Sequence, residues 1–426
     1  MLDIQRILGG LLLGSSLAAP LVAAEQPVVF DAARIYIAPD APPLDNAVIM
    51  IRGDKIAAVN TRKQPSTPES TLPSECQNGV VLAGFQNSHV HFIGEGFFDA
   101  NAKSAVALAS QLERMLTRFG YTTVVDTSSE LENTLTIQRR IQSGEISGPR
   151  ILTVGGGVFP PAGLPIYIAH LPSRFLDSQL LPESADAARL AVRDNLERGA
   201  DATKLFVATP QADRSVKRMP LEIARAAADT THAKNRLVMV HPTDIEGVRL
   251  ALAIEADVLV HTTLGAEAPW PADVVQQLLS NEVAIAPTFK LLNYELQKQN
   301  VPEEIAKRLV AMTLEHFKPF VAGGGSVIFG TDVGYMTDYD PTEEYVLMER
   351  AGMTHLEVLA SLTTEPARLW NEAMRRGRVE AGMDADLVVL AADPAEDIRH
   401  FADVRCAIRA GKVIYRQQKR PAARPM

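Results

Sequence analysis

Hydrophobic and polar positions follow one rhythm at the two ends of the chain and another in the middle. Residues 27–37, 47–51 and 55–60 are β-rich and alternating, which predicts half-buried strands. Gly53-Asp54 supplies a tight turn between the last two. A polar stretch with prolines and serines, residues 62–74, reads as a loop. The β character returns at residues 385–390, 404–410 and 412–416, with Gly411 between the last two. Two β-rich ends around a different middle predict one small β domain assembled from both termini.

The middle alternates short apolar runs with amphipathic stretches. Strands are expected at residues 79–83, 122–126, 150–154, 202–206, 237–241, 258–261, 283–287 and 327–330. Helices are expected at 104–119, 185–198, 221–234 and 302–317, with 356–362 and 365–375 closing the region. Eight strands interleaved with helices form the pattern of an α/β protein of the (β/α)8 TIM barrel type.

The first residues break this pattern. Arg6 precedes an apolar run over residues 7–17, then small residues ending in Val22, Ala23 and Ala24. That is the form of a secretory signal peptide over residues 1–24, cleaved after Ala24, and it predicts a periplasmic or secreted protein. The run is too short to span a bilayer and no later stretch does so, which leaves no membrane anchor in the mature chain. Across all 426 residues the formal net charge is −9, without long runs of one sign. This favours solubility and argues against nucleic acid as a partner. Export permits a disulfide between the two cysteines, Cys76 and Cys406, although two buried thiols satisfy the sequence equally well.

Candidate chemistry gathers where the middle strands end. Ser88-His89-Val90-His91 follows the apolar run Val80-Val81-Leu82 and a turn at Ala83-Gly84. Residues two apart in an extended segment face the same side, so both imidazoles can face one metal. His241 and His261 each end another apolar strand, and Asp332 follows the run 327–331. Four of nine histidines thus sit at the strand ends where barrel enzymes carry their chemistry. Lys204 lies inside the strand 202–206, where a charge is costly to bury. It either snorkels to the surface or points at the same centre, where its neutral amine can combine with carbon dioxide to give an anionic carbamate. Asp126 ends the second strand and is read as orienting neighbouring loops. His232, His316, His355 and His400 are read as structural or surface residues.

In their order along the chain, VLAGFQNSHVHF (81–92), GYTTVVD (120–126), GADATKLF (199–206), VMVHP (238–242), VLVH (258–261), FGTD (329–332) and GMDADLVVL (382–390) resemble the amidohydrolase superfamily, in its prolidase-like and imidazolonepropionase-like branch. The resemblance implies a TIM barrel over residues 83–379 and a β-sandwich built from residues 25–82 plus 380–426. It also implies two divalent metal ions, zinc foremost. His89, His91 and Asp332 hold one, His241 and His261 the other, and carboxylated Lys204 and a hydroxide bridge them, with Asp332 shuttling the proton. Ala83 and Asn87 depart from the family pattern, which usually has proline and aspartate there. Asn87 removes an acceptor that would support a ligand.

Loops after the strands are expected to form the pocket. Tyr167 and His170 follow the third strand, Arg214, Lys217 and Arg218 the fourth, and Tyr335 and Tyr339 the eighth. Of these, Tyr167, His170, Arg214 and Tyr335 are the candidate substrate contacts. An apolar pocket with a cationic rim suits an amide carrying a free carboxylate, such as a dipeptide, an Xaa-Pro dipeptide or an N-acyl amino acid. The expected activity is hydrolysis of a peptide or linear amide C–N bond in a small molecule. Opening of a cyclic amide or lactone uses the same chemistry, and a metal- or ligand-binding barrel without turnover is the reading from another class. A homo-oligomer is compatible with the resemblance.

Overall fold

The computed structural model describes residues 27–61, 72–263 and 269–418, so the expected signal segment lies outside the described residues. The β-rich stretches from both ends of the chain enter one seven-stranded mixed sheet. In spatial order its strands are Lys412–Arg416, Val404–Arg409, Leu387–Leu390, Val80–Ala83, Val28–Ile35, Leu44–Arg52 and Lys55–Thr61. The seam between the two ends is the strand Val80–Ala83, parallel to Val28–Ile35 and antiparallel to Leu387–Leu390. Alternation decides which side chains face the sheet's own core: Val81 and Ala83 join Phe30, Ile49, Ile51, Leu387, Val389 and Ile408 there. Cys76 and Cys406, 330 positions apart, meet in that core as a disulfide.

This placement corrects the expected first strand of the barrel. Val80–Ala83 is committed to the terminal sheet, and the chain restarts as Phe85–Val90, which pairs in parallel with Tyr121–Asp126. The intervening Gly84 has no room for a side chain, because a Cβ there would meet the Thr122 hydroxyl at 2.2 Å. Two strands one residue apart, VVLA and FQNSHV, are separated in the fold by their partners.

The middle of the chain is a TIM-barrel-like α/β arrangement. Phe85–Val90, Tyr121–Asp126 and Arg150–Thr153 form one parallel sheet, and Ala202–Phe206, Leu237–His241, Val258–Val260 and Ala284–Ala286 another. Backbone hydrogen bonds link the two. Asp201 N donates to Thr153 O at 2.7 Å on one side. On the other, Ile328 N donates to Ile285 O at 2.9 Å and Ser88 N to Phe329 O at 2.7 Å. Residues 327–330 therefore occupy the place of an eighth strand through isolated pairing rather than a regular ladder.

Helices cover the outside. Ala105–Met115 turns Leu108, Leu112 and Met115 inward at helical spacing, and Ser104 caps it by accepting from Ala107 N. Ser184 and Asp244 cap Ala185–Glu197 and Ile245–Ala253 in the same way. Inside the strand ring, Val125, Leu152, Ala202, Met239, Val258, Val260 and Ile328 pack into a separate apolar cluster beneath the site.

Candidate active site

Period two along the strands settles which residues look inward. In Ala202–Phe206, Ala202 packs inside the ring and Leu205 outside it, against the helices. Lys204 and Phe206 share the side of Ala202, so Lys204 points to the interior and is fully buried. In Leu237–His241, Met239 faces inward and carries His241 with it. His261 breaks the rule. Val258 and Val260 face inward, so alternation alone would turn His261 outward. Its backbone is left-handed, with φ 73°, and the reversal swings the ring back over the cavity. Asp332 is left-handed as well, with φ 62°.

These side chains converge. His89 Nε2 lies 3.1 Å from His91 Nε2. Asp332 Oδ1 lies 3.3 Å from the first and 3.0 Å from the second, and Asp332 Oδ2 lies 4.0 Å from His261 Nε2. The His261 ring centre is 4.6 Å from that of His89 and 4.7 Å from that of His241. Gly330 makes this possible, because a Cβ there would come within 2.9 Å of His89 Cβ.

Neighbouring acceptors fix the tautomers. His91 Nδ1 lies 2.8 Å from the Ser128 carbonyl, which can only accept, so the proton sits on Nδ1 and Nε2 keeps its lone pair. The Thr288 hydroxyl donates to Pro287 O at 2.8 Å and therefore accepts from His261 Nδ1 at 2.6 Å, leaving His261 Nε2 free as well. Burial pushes His89 and His241 down to about 3 and holds His261 well below its ordinary value, so the imidazoles are neutral. Burial likewise brings Lys204 down to about 7.

The donor set fits a divalent cation. His89, His91 and Asp332 each offer a ligand atom, all within 4.8 Å of one another. His89 Nδ1, His241 Nδ1 and Lys204 Nζ are buried without a hydrogen-bond partner, which is costly unless another group satisfies them. Neutral imidazoles and a carboxylate suit zinc and its neighbours. Asn87 compensates for the missing aspartate. Its Oδ1 accepts from His89 N at 3.1 Å and its Nδ2 donates to Thr331 Oγ1 at 2.7 Å, tying the two histidines to the segment that carries Asp332. Asp126 does orient loops, accepting from Ser129, Thr134 and Thr153.

Above this cluster lies a cavity of about 260 Å³. Phe159 stacks on Phe206 with ring centres 4.1 Å apart, and Phe206 stacks on His241 at 5.2 Å. Ile93, Ile168, Phe175 and Leu291 complete an apolar wall. Tyr167 and Tyr335 line the cavity as expected, their rings 5.9 Å apart, and the Tyr167 hydroxyl is buried and unpartnered.

His170 and Arg214 do not join them. Both are exposed and stand outside the cavity wall. Solvation of a loop imidazole and of a guanidinium at a hairpin tip outweighs any inward placement. Arg218 is bound to Asp244 by two hydrogen bonds of 2.9 and 2.6 Å, and Lys217 is exposed. Among the described residues the expected cationic rim is therefore absent from the wall, whose one lysine is Lys204. Sequence reasoning missed Ser128, Thr288 and Glu295. A backbone carbonyl, a threonine outside any motif and a mid-helix glutamate carry no local signal.

In sequence the chain is similar to an ochratoxinase of Aspergillus niger, 24% identical over 431 residues that span 92% of this chain and 88% of the relative. The crystal structure of A. niger ochratoxinase superposes with a TM-score of 0.72 at 21% identity, covering 91% of this chain and 96% of that one. A Xaa-Pro dipeptidase with bound methionine in the active site gives 0.76 at 21% identity, over 92% of this chain and 100% of that one. A putative prolidase from Bifidobacterium longum gives 0.73 at 23% identity, over 94% and 97%. The sequence model of the Amidohydrolase family matches residues 80–414, from the seam strand to the last strand of the terminal sheet. The chain therefore belongs to the amidohydrolase family, hydrolases that act on amide C–N bonds.

Proposed function

We propose that this protein hydrolyses the amide C–N bond of a small, largely apolar substrate at a two-metal centre, zinc being the metal its donors suit best. His89, His91 and Asp332 hold one ion, His241 and His261 the other, and Lys204, as its carbamate, serves both. The observation that carries the reading is the convergence of these groups, several with unsatisfied buried atoms, at the floor of an aromatic cavity. Similarity to an ochratoxinase and to a Xaa-Pro dipeptidase supports it.

Divalent cations bound here supply Lewis acidity, lowering the pKa of water towards ~7 and polarising a carbonyl. The Asp332 carboxylate takes a proton from the attacking water as the C–O bond forms, and returns it to the leaving nitrogen as the C–N bond breaks. Tyr167 lines the cavity and its hydroxyl is buried without a partner, which leaves it a donor for a substrate hydrogen bond. Phe159, Phe175 and Phe206 keep bulk water out. Lys204 Nζ, brought down to about 7, has a neutral fraction at neutral pH. That nitrogen adds to carbon dioxide, forms the N–C bond and loses a proton, giving an anion with two oxygens.

The test is a panel of dipeptides, N-acyl amino acids and neutral aryl amides assayed with protein stripped by chelator and reloaded with zinc, manganese or cobalt. Hydrolysis that vanishes on stripping and returns on reloading supports the proposal. Turnover indifferent to chelation, or no turnover of any amide, defeats it. We also place the protein in the periplasm or outside the cell, a location the disulfide supports. Recovery of the native protein in the cytoplasm with two titratable thiols would contradict that location.

A further inference from the structure

The wall of the cavity carries a feature that the hydrolytic machinery does not use. Glu295, on the helix Phe289–Lys298, lines the cavity together with Leu291 and Gln299, and its side chain keeps 18% of its surface exposed. It is held firmly. Tyr335 donates to Glu295 Oε1 at 2.7 Å, and Lys298 donates to the Tyr335 hydroxyl at 3.1 Å from the outer side. Lys298 Nζ lies 3.6 Å from the same Oε1. Both contacts to the carboxylate fall on Oε1, and Oε2 makes neither of them.

The helix beneath it is anchored at its start. Buried Glu344 accepts from Phe289 N at 3.0 Å and Lys290 N at 2.7 Å, and Lys290 Nζ donates to Asp340 O at 2.6 Å. A carboxylate fixed in this way, with one oxygen left over, is a preorganised acceptor. A substrate carboxylate at this end of the cavity would meet a like charge and no lining cation, since the wall's one lysine sits at the metal-binding cluster.

We propose that Glu295 determines specificity: its Oε2 accepts a hydrogen bond from an amino group, or another N–H donor, at the end of the substrate remote from the scissile amide. The substrate class is then apolar or aromatic amides bearing an amine rather than those bearing a free carboxylate. This deepens the amide-hydrolase reading and rests on it.

Three para-substituted benzamides test it by equilibrium titration of the metal-loaded protein: 4-(aminomethyl)benzamide, 4-methylbenzamide and 4-carbamoylbenzoate. The amine is expected to bind about tenfold more tightly than the methyl compound, the size of one charge-assisted hydrogen bond, with the carboxylate weakest. Glu295→Gln should bring the amine and methyl compounds level, because the amide still accepts from Tyr335 and keeps the wall in place. Lys298→Met should widen the preference for the amine. An amine-to-methyl ratio near one in the unaltered protein, or one that Glu295→Gln leaves unchanged, overturns the proposal. So does carboxylate binding that is tightest and is lost in Lys298→Met. Binding in the expected order without hydrolysis of any amide would defeat the catalytic reading while leaving this one standing.

Discussion

Two regions of this molecule bury ionisable groups, and they do it in opposite ways. At the foot of the strand ring, where Arg150 begins its strand, charges are matched. Arg150 forms hydrogen bonds of 2.9 and 2.7 Å with Glu372. Arg376 reaches Asp384 at 2.8 Å and Asp386 at 3.3 Å, and Lys55 also pairs with Asp384. At the mouth, His89 Nδ1, His241 Nδ1 and Lys204 Nζ are fully buried and have no hydrogen-bond partner. The foot ties the terminal sheet to the barrel-like domain, because Lys55, Asp384 and Asp386 come from the chain ends and Arg150 and Glu372 from the middle. The mouth carries the groups to which the proposed function assigns the metals. Burial of charge is therefore uninformative by itself here, and an opposite charge within reach separates the two regions: Arg376 Nε, itself without a hydrogen bond, lies 3.2 Å from Glu372 Oε2, whereas Lys204 Nζ forms no ion pair among the described residues.

Substitutions that treat the two regions alike would break this comparison if they gave like results. The largest effect is expected at the mouth. On the proposed mechanism Asp332→Asn removes both a metal ligand and the proton carrier, and should lower hydrolysis on the order of 10⁴-fold while the far-ultraviolet spectrum is kept. A loss below about tenfold would remove Asp332 from the chemistry. At the foot, Arg376→Met removes the guanidinium shared by Asp384 and Asp386, leaving Asp384 with Lys55 and Arg375 and Asp386 with Ala410 N, and should cost about 3 kcal/mol in denaturant unfolding, with kcat/KM preserved under native conditions. An unchanged midpoint would show that the paired network contributes nothing. The smallest change in stability sharpens the contrast. Lys204→Met replaces an unpartnered buried amine with an apolar chain of similar volume, and should raise the stability of metal-free protein by about 1–3 kcal/mol while abolishing activity. Destabilisation would mean that Lys204 belongs with the foot and not the mouth.

The two regions were also unequally legible. The inward direction of Lys204 and His241 follows from alternation within strands whose apolar runs are plain, and the structure brings both to the site. Asp126 was legible as a loop organiser because it ends a strand, and three hydroxyls do meet it. The foot was invisible. Arg150, Arg376 and Asp384 have no common motif, and their pairing exists only once both chain ends fold back. The substrate contacts fared in between. Aromatic residues in the loops signalled a pocket, and Tyr167 and Tyr335 line it, while His170 and Arg214 remain in water. Glu295 could not be singled out, since an isolated glutamate on an amphipathic helix normally lies in solvent.

The sequence by itself determined the alternation of strands and helices, the β character of both ends and the set of residues able to bind metal. These depend on local periodicity and on side-chain chemistry, which a linear string carries in full. Tertiary structure alone decided that the barrel-like domain takes Phe85–Val90 as its first strand, since strand membership is a property of partners. It decided that His261 turns back over the cavity, because a left-handed residue is stable only where Thr288 and its surroundings hold it. It decided, too, which buried polar atoms are satisfied and which are left over, as hydrogen bonding between distant segments has no local signature.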